Sequence, residues 1–148
     1  MQTYIGSTLR TGSGTLTDTV DGGYVVVSQT TTVTTAAAGT ATSASITIPA
    51  DSQIIDFFVD GIVDAVAGAG TATTVPVTIG TAAAGTQYLS ATNAIAGGRI
   101  ALAFTTAQVA AMDDVGSNTA VFITADPNGT IVTTQGVYRL TVVYAQKV

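Results

Sequence analysis

β-Branched residues dominate this chain and limit the folds that it can adopt. Of its 148 residues, 29 are Thr, 18 are Val and 11 are Ile, together 39% of the chain. A branched Cβ restricts side-chain rotation in a helix and fits the pleated surface of a sheet. The larger apolar residues (Val, Ile, Leu, Met, Phe and Tyr) number 45, which is enough for one hydrophobic core. We therefore expect a single all-β domain of ordinary size.

Eight segments have the alternation or the residue content of strands. They are residues 24–33, 43–48, 53–66, 71–79, 99–104, 119–124, 130–134 and 137–145. One short helix is predicted near residues 105–112, where Thr105 and Gln108 have the spacing of a capping box. Eight antiparallel strands in about 125 residues predict a two-sheet β-sandwich of jelly-roll type. An immunoglobulin-like sandwich is the alternative, but the chain lacks its Cys-Trp-Cys core.

The segment 53–66 fits either a strand or a helix. As a strand it places five apolar side chains inward: Ile55, Phe57, Val59, Val63 and Ala65. As a helix it would set three Asp four residues apart, which is unfavourable for like charges, and would place Gly61 in mid-helix. We therefore predict a strand.

Two prolines give further expectations about the strands. Pro76 lacks a backbone donor, so we expect the segment 71–79 to be an edge strand or to contain a bulge. Residues 126–129 read Asp-Pro-Asn-Gly, a strong turn signal. We expect residues 119–124 and 130–134 to pair as a hairpin across this turn.

Residues 1–23 differ in composition from the rest of the chain and are predicted to form an extended N-terminal arm, with the sandwich occupying 24–148. Glycines punctuate Thr and Ser here, and the apolar residues keep no strand or helix period. A frayed terminus is one interpretation; an arm that orders against a neighbouring subunit is the other. In the second interpretation the contact residues are Tyr4, Ile5, Leu9, Arg10 and Leu16.

Composition excludes several kinds of chemistry. The chain has no His, Cys, Trp or Glu, so it cannot form a Ser-His-Asp triad, a cysteine nucleophile or a standard zinc site. We expect neither enzymatic activity nor a cofactor. Four basic residues against nine Asp give a net charge of -5, which argues against nucleic acid as a partner. The N-terminus lacks the features of a secretory signal, and no apolar run is long enough to cross a membrane, so we expect a soluble protein.

Two sets of oxygen-bearing side chains are candidate Ca²⁺ sites, and a structural interpretation is favoured for both. Asp56, Asp60 and Asp64 would lie about 13 Å apart in successive pairs along a strand, as expected of a solvated face. Asp126, Asn128 and Thr130 alternate as in a calcium loop, but the Glu that closes such a loop is missing. The five Tyr could form a sugar-binding platform, although Tyr138 and Tyr144 fall on the inward face of their strand.

Several segments resemble a known class of protein. The resemblance is found in residues 45–56 (Ser-Ile-Thr-Ile-Pro-Ala-Asp-Ser-Gln-Ile-Ile-Asp), 75–81 and 88–92 and in the closing strand 137–144. In the strand and turn motifs of these segments the chain is similar to small virion proteins of tailed bacteriophages, often jelly rolls, that decorate or cement the head. The resemblance covers about 100 residues from Ala44 onward and leaves the N-terminal arm out.

The resemblance implies a structural role. Such proteins sit on the outer surface of a capsid, often as homotrimers at local threefold positions, and bridge neighbouring subunits of the major capsid protein. It therefore implies a virion location after synthesis in the host cytoplasm, with the major capsid protein and further copies of this chain as partners. The alternative is a receptor- or glycan-binding module of a head spike or tail fibre, which exposed tyrosines around a groove would favour.

Overall fold

A computed structural model describes residues 24–113 and 115–147, which form eight strands and one short helix. The helix α1 spans Thr106–Ala111, between the sixth and seventh strands. The strands are β1 (Tyr24–Thr34), β2 (Thr42–Ile48), β3 (Ser52–Val63), β4 (Pro76–Gly80), β5 (Leu89–Asn93), β6 (Gly98–Arg99), β7 (Thr119–Ala125) and β8 (Val137–Lys147).

The strands form two four-stranded antiparallel sheets that follow jelly-roll topology. One sheet has the order β1-β8-β3-β6 and the other the order β2-β7-β4-β5. The first strand pairs with the last, the second with the seventh, the third with the sixth and the fourth with the fifth. This nesting arises when one long hairpin folds over into two sheets, and it is the jelly-roll arrangement. The predicted sandwich is therefore confirmed.

The core lies between the two sheets and is filled by alternate residues of their strands. Strand β8 is the most regular example, because its inward side chains are almost completely buried: Tyr138, Leu140, Val142 and Tyr144. Strand β7 supplies the matching row from the opposite sheet: Val121, Ile123 and Ala125. Period-two alternation is the expected pattern where each sheet buries one face. The inward positions that alternation predicts for β8, and for Val75, Val77 and Ile79 in the segment 71–79, are confirmed.

Two β-bulges in β3 correct the predicted faces of that strand. The pairing with β8 skips a residue between Ile54 and Asp56 and another between Gly61 and Val63. An extra residue in one strand reverses the side-chain alternation beyond it. As a result Phe57, Val59 and Ala65 are buried as predicted, whereas Ile55 and Val63 are exposed and the prediction for them was wrong.

Strand β4 lies inside its sheet, between β7 and β5, so the prediction of an edge strand was wrong. Pro76 is the first residue of β4, a position where the missing N–H removes nothing from the ladder. The backbone carbonyl of Pro76 still accepts a hydrogen bond from the Asp126 N–H at 2.9 Å. The alternative expectation of an irregularity holds, because the pairing with β5 shifts between Val77 and Ile79.

Two other predicted strands differ from the structure, and one strand was not predicted. Residues 130–134 form no strand, and β7 pairs with β2 and β4, so the predicted hairpin was wrong. The segment 99–104 contributes only the two-residue strand β6, although Ile100, Leu102 and Phe104 still pack against the core. Strand β5 was missed, because residues 89–93 are not among the eight segments predicted to be strands.

The helix α1 forms where the capping box predicts it. The Thr105 hydroxyl accepts a hydrogen bond from the Gln108 N–H, and the Gln108 side chain accepts one from the Thr105 N–H. The Gln108 amide also donates to the Thr86 carbonyl and to the Ser90 hydroxyl, which ties the helix to the region of β5. Within the described residues, no helix is long and apolar enough to cross a membrane.

Two Ile→Ala substitutions test the placement of the core. Ile123 is fully buried in β7, so Ile123→Ala should lower the free energy of unfolding by about 2–5 kcal/mol through lost burial and a cavity. Ile62 is 52% exposed at the second bulge, and Ile62→Ala should cost less than about 1 kcal/mol. Chemical denaturation of both variants measures the difference. Equal losses at the two positions would contradict the assigned faces.

Candidate interaction surfaces

Charge is divided unequally between the two sheets. The strands of the sheet β1-β8-β3-β6 carry five charged residues: Asp56, Asp60, Arg99, Arg139 and Lys147. The strands of the sheet β2-β7-β4-β5 carry none. We call these the charged sheet and the uncharged sheet. Because the inner faces of both sheets form the core, the division appears on the two outer faces of the sandwich.

An ion-pair cluster spans three strands of the charged sheet. Asp60 of β3 lies opposite Arg99 of β6 and Arg139 of β8 in the strand register. The Asp60 carboxylate accepts hydrogen bonds from the guanidinium groups of Arg99 and Arg139, the latter at 3.2 Å. The Arg99 guanidinium carbon also lies 4.8 Å from the centre of the Phe58 ring, within cation–π range. These contacts attach the two-residue strand β6 to the sheet.

The cluster lowers the pKa of Asp60 below its ordinary value of 3.8. Hydrogen bonding to Arg99 is the main cause, and Arg139 contributes in the same direction, while partial burial acts against both. The side chain of Asp60 is only 16% exposed, whereas those of Arg99 and Arg139 are about half exposed. The carboxylate is therefore held in its charged form by its two partners.

The outer face of the uncharged sheet consists of small polar and apolar side chains. Strand β2 is one of its two edge strands and exposes Ser43, Ser45 and Thr47. The loop after β4 folds over the middle of this face, where the Ala84 N–H donates to the Thr124 hydroxyl at 2.8 Å. The same hydroxyl shares a hydrogen bond with Ser43. This surface offers hydroxyl groups and methyl groups to a partner, with no charge to desolvate.

The residues proposed as a calcium loop hold two loops together instead. The Asn128 carboxamide oxygen accepts hydrogen bonds from the N–H groups of Thr73 and Thr74, both at 2.9 Å, and its nitrogen donates to the Thr73 hydroxyl. Thr130 adds a reciprocal pair with Thr71. The turn at 126–129 is thus structural, as favoured, and it docks on the segment that leads into β4.

The three carboxylates in and just after β3 do not converge. Asp60 pairs with arginines, and Asp56 accepts a hydrogen bond from the N–H of Phe57 at 2.8 Å. Asp64 lies beside Gly97, and a Cβ added at Gly97 would clash with the Asp64 carboxylate. Among the described residues there is no group of three or more His, Cys, Asp or Glu that could hold a metal ion.

Three of the five tyrosines belong to the core and cannot form a sugar platform. Tyr138, Tyr144 and Tyr88 are almost fully buried, and Tyr88 packs on Phe57 with ring centres 5.2 Å apart. Burial raises the pKa of Tyr138 to about 12, with a further rise from the charge of Asp64. Tyr24 is exposed. Tyr4 and the other predicted contact residues, Ile5, Leu9, Arg10 and Leu16, lie outside the described residues.

An apolar groove lies between the start of β3 and α1. Its volume is about 340 Å³, and its apolar lining consists of Ile54, Ile55, Val109, Ala110 and Met112. Gln53 and Asp113 form its polar rim. Ile55 and Val109 are 50% and 56% exposed, which is high for aliphatic side chains. Sequence reasoning missed this groove because regular alternation places Ile55 in the core.

Comparison with known proteins gives one informative result. No family model matches the chain, and no curated protein matches it. Among solved structures, the fold is similar to a chain from the "Cyanophage Pam1 capsid asymmetric unit", with a TM-score of 0.57. The two sequences are 23% identical, and the match covers 84% of this chain and 86% of that one. At this identity the likeness shows a shared fold over most of both chains.

Neutralising Asp60 should remove a contribution to stability that depends on pH. Because the folded-state pKa of Asp60 is lowered, the contribution is present above about pH 4 and is lost as the pH falls through the folded pKa. Asp60→Asn should lower the free energy of unfolding at pH 7 by about 1 kcal/mol or less, since the arginines are largely exposed. Denaturant titrations at pH 7 and pH 2 measure the change.

The control for this experiment is Asp126→Asn, which makes the same charge change in a loop. The loss in free energy of unfolding caused by Asp60→Asn should disappear at pH 2 and should be smaller in 1 M salt, where exposed charges are screened. A deficit that is the same at both pH values would contradict the ionic origin of the effect.

Two Tyr→Phe substitutions compare the loss of a buried hydroxyl that has a hydrogen-bond partner with the loss of one that has none. The Tyr138 hydroxyl has no hydrogen-bond partner among the described residues, so Tyr138→Phe should cost nothing at pH 7. The Tyr144 hydroxyl accepts a hydrogen bond from the Gln29 amide at 2.8 Å, so Tyr144→Phe should cost about 0.5–1.5 kcal/mol. Denaturation at pH 7 compares them. A larger loss for Tyr138→Phe would contradict this assignment.

The stability of the Tyr138→Phe variant should also differ from that of the natural protein at high pH. A folded pKa near 12 against 10 in the unfolded chain means that stability is lost as the pH rises from 10 to 12. Tyr138→Phe should escape this loss, so its advantage over the natural protein should grow by about 1 kcal/mol per pH unit in that window.

Proposed function

We propose that the protein is a structural component of a bacteriophage virion that decorates and stabilises the capsid by bridging neighbouring major capsid subunits. The observation that carries the proposal is the likeness of fold to a chain of a cyanophage capsid asymmetric unit, over 84% of this chain. The sequence resemblance to head decoration proteins points in the same direction and rests on different information, namely the motifs at 45–56 and 75–81.

A structural role agrees with how the polar side chains are used. Asn128, Gln108 and Asp60 each make several hydrogen bonds that tie loops, helix and strands together. The chain has no His, Cys or Glu, so Ser–His and Cys–His pairs of nucleophile and base cannot form. We therefore propose a binding task for the protein.

The outer face of the uncharged sheet is the side that we propose lies against the capsid. The centres of protein interfaces are depleted in charged residues, because a charge buried without a partner loses its hydration. Contact through Ser43, Ser45 and Thr47 avoids this penalty. The charged sheet would then face the solvent, where its charged side chains stay hydrated.

Oligomerisation belongs to the same proposal. A homotrimer at a local threefold position would let one copy contact several capsid subunits at once. The N-terminal residues Tyr4, Ile5, Leu9, Arg10 and Leu16 remain the predicted contacts to a neighbouring subunit. Multivalent attachment would make even a modest contact area per copy sufficient on a lattice.

Addition of purified protein to capsids that lack it tests the proposal. The protein should bind expanded heads in a fixed ratio and raise the temperature at which they lose their contents, because it links neighbouring subunits. Sedimentation of the heads measures binding, and dye access to the packaged DNA measures heat resistance. Failure to bind heads together with binding to host cells would contradict the proposal and favour a receptor-binding module.

A matched pair of substitutions tests the proposed orientation. Ser45 and Ser28 are both exposed and both lie on edge strands, Ser45 in the uncharged sheet and Ser28 in the charged sheet. Ser45→Glu should weaken binding to heads by more than about tenfold, since it buries an unpaired charge. Ser28→Glu should leave binding unchanged. The reverse result would favour contact through the charged sheet, and unchanged binding in both variants would contradict contact at either position.

A further inference from the structure

The apolar groove beside α1 exposes side chains that a β-sandwich normally buries. Its presence follows from the first bulge of β3, since Ile55 is the residue that the pairing with β8 skips. Val109 of α1 lines the same groove and is 56% exposed. A cavity of about 150 Å³ already holds a benzene molecule, so a groove of 340 Å³ has room for more than one apolar side chain.

The groove and the start of β1 lie at the same end of the sandwich. Tyr24 pairs with Lys147, and the adjacent Gln146 pairs with Ser52 at the start of β3. The carbonyl of Ser52 then accepts a hydrogen bond from Val115, in the segment that follows α1. The first residue of β1 is therefore about three strand spacings, or about 14 Å, from the groove.

We propose that, in the free protein, the groove binds the chain's own N-terminal segment through Leu9 and Arg10. Residues 1–23 precede β1 and so enter the fold at the end where the groove lies. Leu9 supplies an apolar side chain of the size that the groove accepts. Arg10 is the single cation of residues 1–23, and it follows Leu9 directly.

The length of the segment allows this contact within one chain. Thirteen residues lie between Arg10 and Tyr24, and the fourteen steps from one to the other reach about 46 Å in an extended chain. Gly22 and Gly23 directly precede β1 and give the backbone the freedom to turn across the end of the sheet. A tethered segment of this length has an effective concentration in the millimolar range, which favours its own groove over that of another copy.

Charge complementarity selects Arg10 over the other polar residues of the segment. Asp113 is exposed, and it is the one acidic residue among those that line the groove. An arginine that follows an apolar residue can pair with such a rim while its neighbour enters the groove. The other charged residues of the segment, Asp18 and Asp21, would be repelled from the same rim.

A segment bound in this way has a consequence for assembly. The same residues are the predicted contacts to a neighbouring subunit, so they must leave the groove before they can make that contact. The groove would thus keep the free protein from associating through this segment before it reaches its site. The inference concerns the free chain and does not depend on the proposed capsid role.

Cross-linking between introduced cysteines tests the contact, because the natural chain has no Cys. Thr11→Cys labels the segment next to Arg10, and Gln53→Cys labels the exposed rim of the groove. With a short bis-maleimide the full-length double variant should cross-link within one chain. The matched control combines Thr11→Cys with Val132→Cys, a position that is 57% exposed and lies near the bridge between Val66 and Thr134 at the other end of the sandwich.

The groove pair should cross-link at least about tenfold faster than the control pair at equal protein concentration. Adding Leu9→Ser or Arg10→Glu to the groove pair should slow the reaction, the latter by about two- to fivefold as expected for an exposed ion pair. Circular dichroism checks that each variant is folded.

Three results would overturn the inference. The first is an equal rate for the groove and control pairs. The second is an unchanged rate with both Leu9→Ser and Arg10→Glu, which would mean that these residues do not direct the contact. The third is efficient linkage in a mixture of the two single-cysteine chains, which would assign the groove to the segment of a second copy. Capsids are absent from the assay, so its outcome and that of the capsid-binding test are independent.

Discussion

The burial of one face of each sheet is the constraint on which the rest of this structure depends. A chain with few charges and many β-branched residues gains most of its stability by removing apolar sheet faces from water. Strand β8 lies at the centre of this arrangement, because it is paired on both sides by β1 and β3 and its inward residues are almost completely buried. Because the first strand pairs with the last, strands that are far apart in the sequence contribute to the same core.

The bulges, the short strand β6 and the loops are arranged around that core, and they determine which side chains are exposed at the surface. The bulges in β3 keep Phe57 and Val59 in the core, and the residues that the pairing skips are pushed outward as Ile55 and Ile62. The short strand β6 offers little backbone pairing, and the Asp60 cluster supplies the additional attachment across it. Side-chain hydrogen bonds of Asn128 and Gln108 perform the same task for the loops and the helix.

The surface that remains is divided into three parts with different chemistry. The charged sheet carries ion pairs, the uncharged sheet presents hydroxyl and methyl groups, and the end near α1 has an apolar groove. A protein that binds other proteins through extended contact needs such surfaces more than it needs reactive groups. The buried tyrosines also show why counting aromatic residues says little about ligand binding: Tyr88, Tyr138 and Tyr144 stabilise the core.

The sequence by itself determined the all-β class, the sandwich, the faces of β2, β4 and β8 and the capping of α1. These depend on local alternation and on hydrogen bonds between residues close in the chain, which a single segment displays. Only the tertiary structure decided the partners of each strand, the interior position of β4 and the loss of the predicted hairpin at 130–134. It also decided the outward turn of Ile55 and the pairing of Asp60 with Arg99 and Arg139. These features join residues that are far apart in the chain, or depend on one inserted residue that reverses a strand's faces, and neither leaves a periodic signal in the sequence.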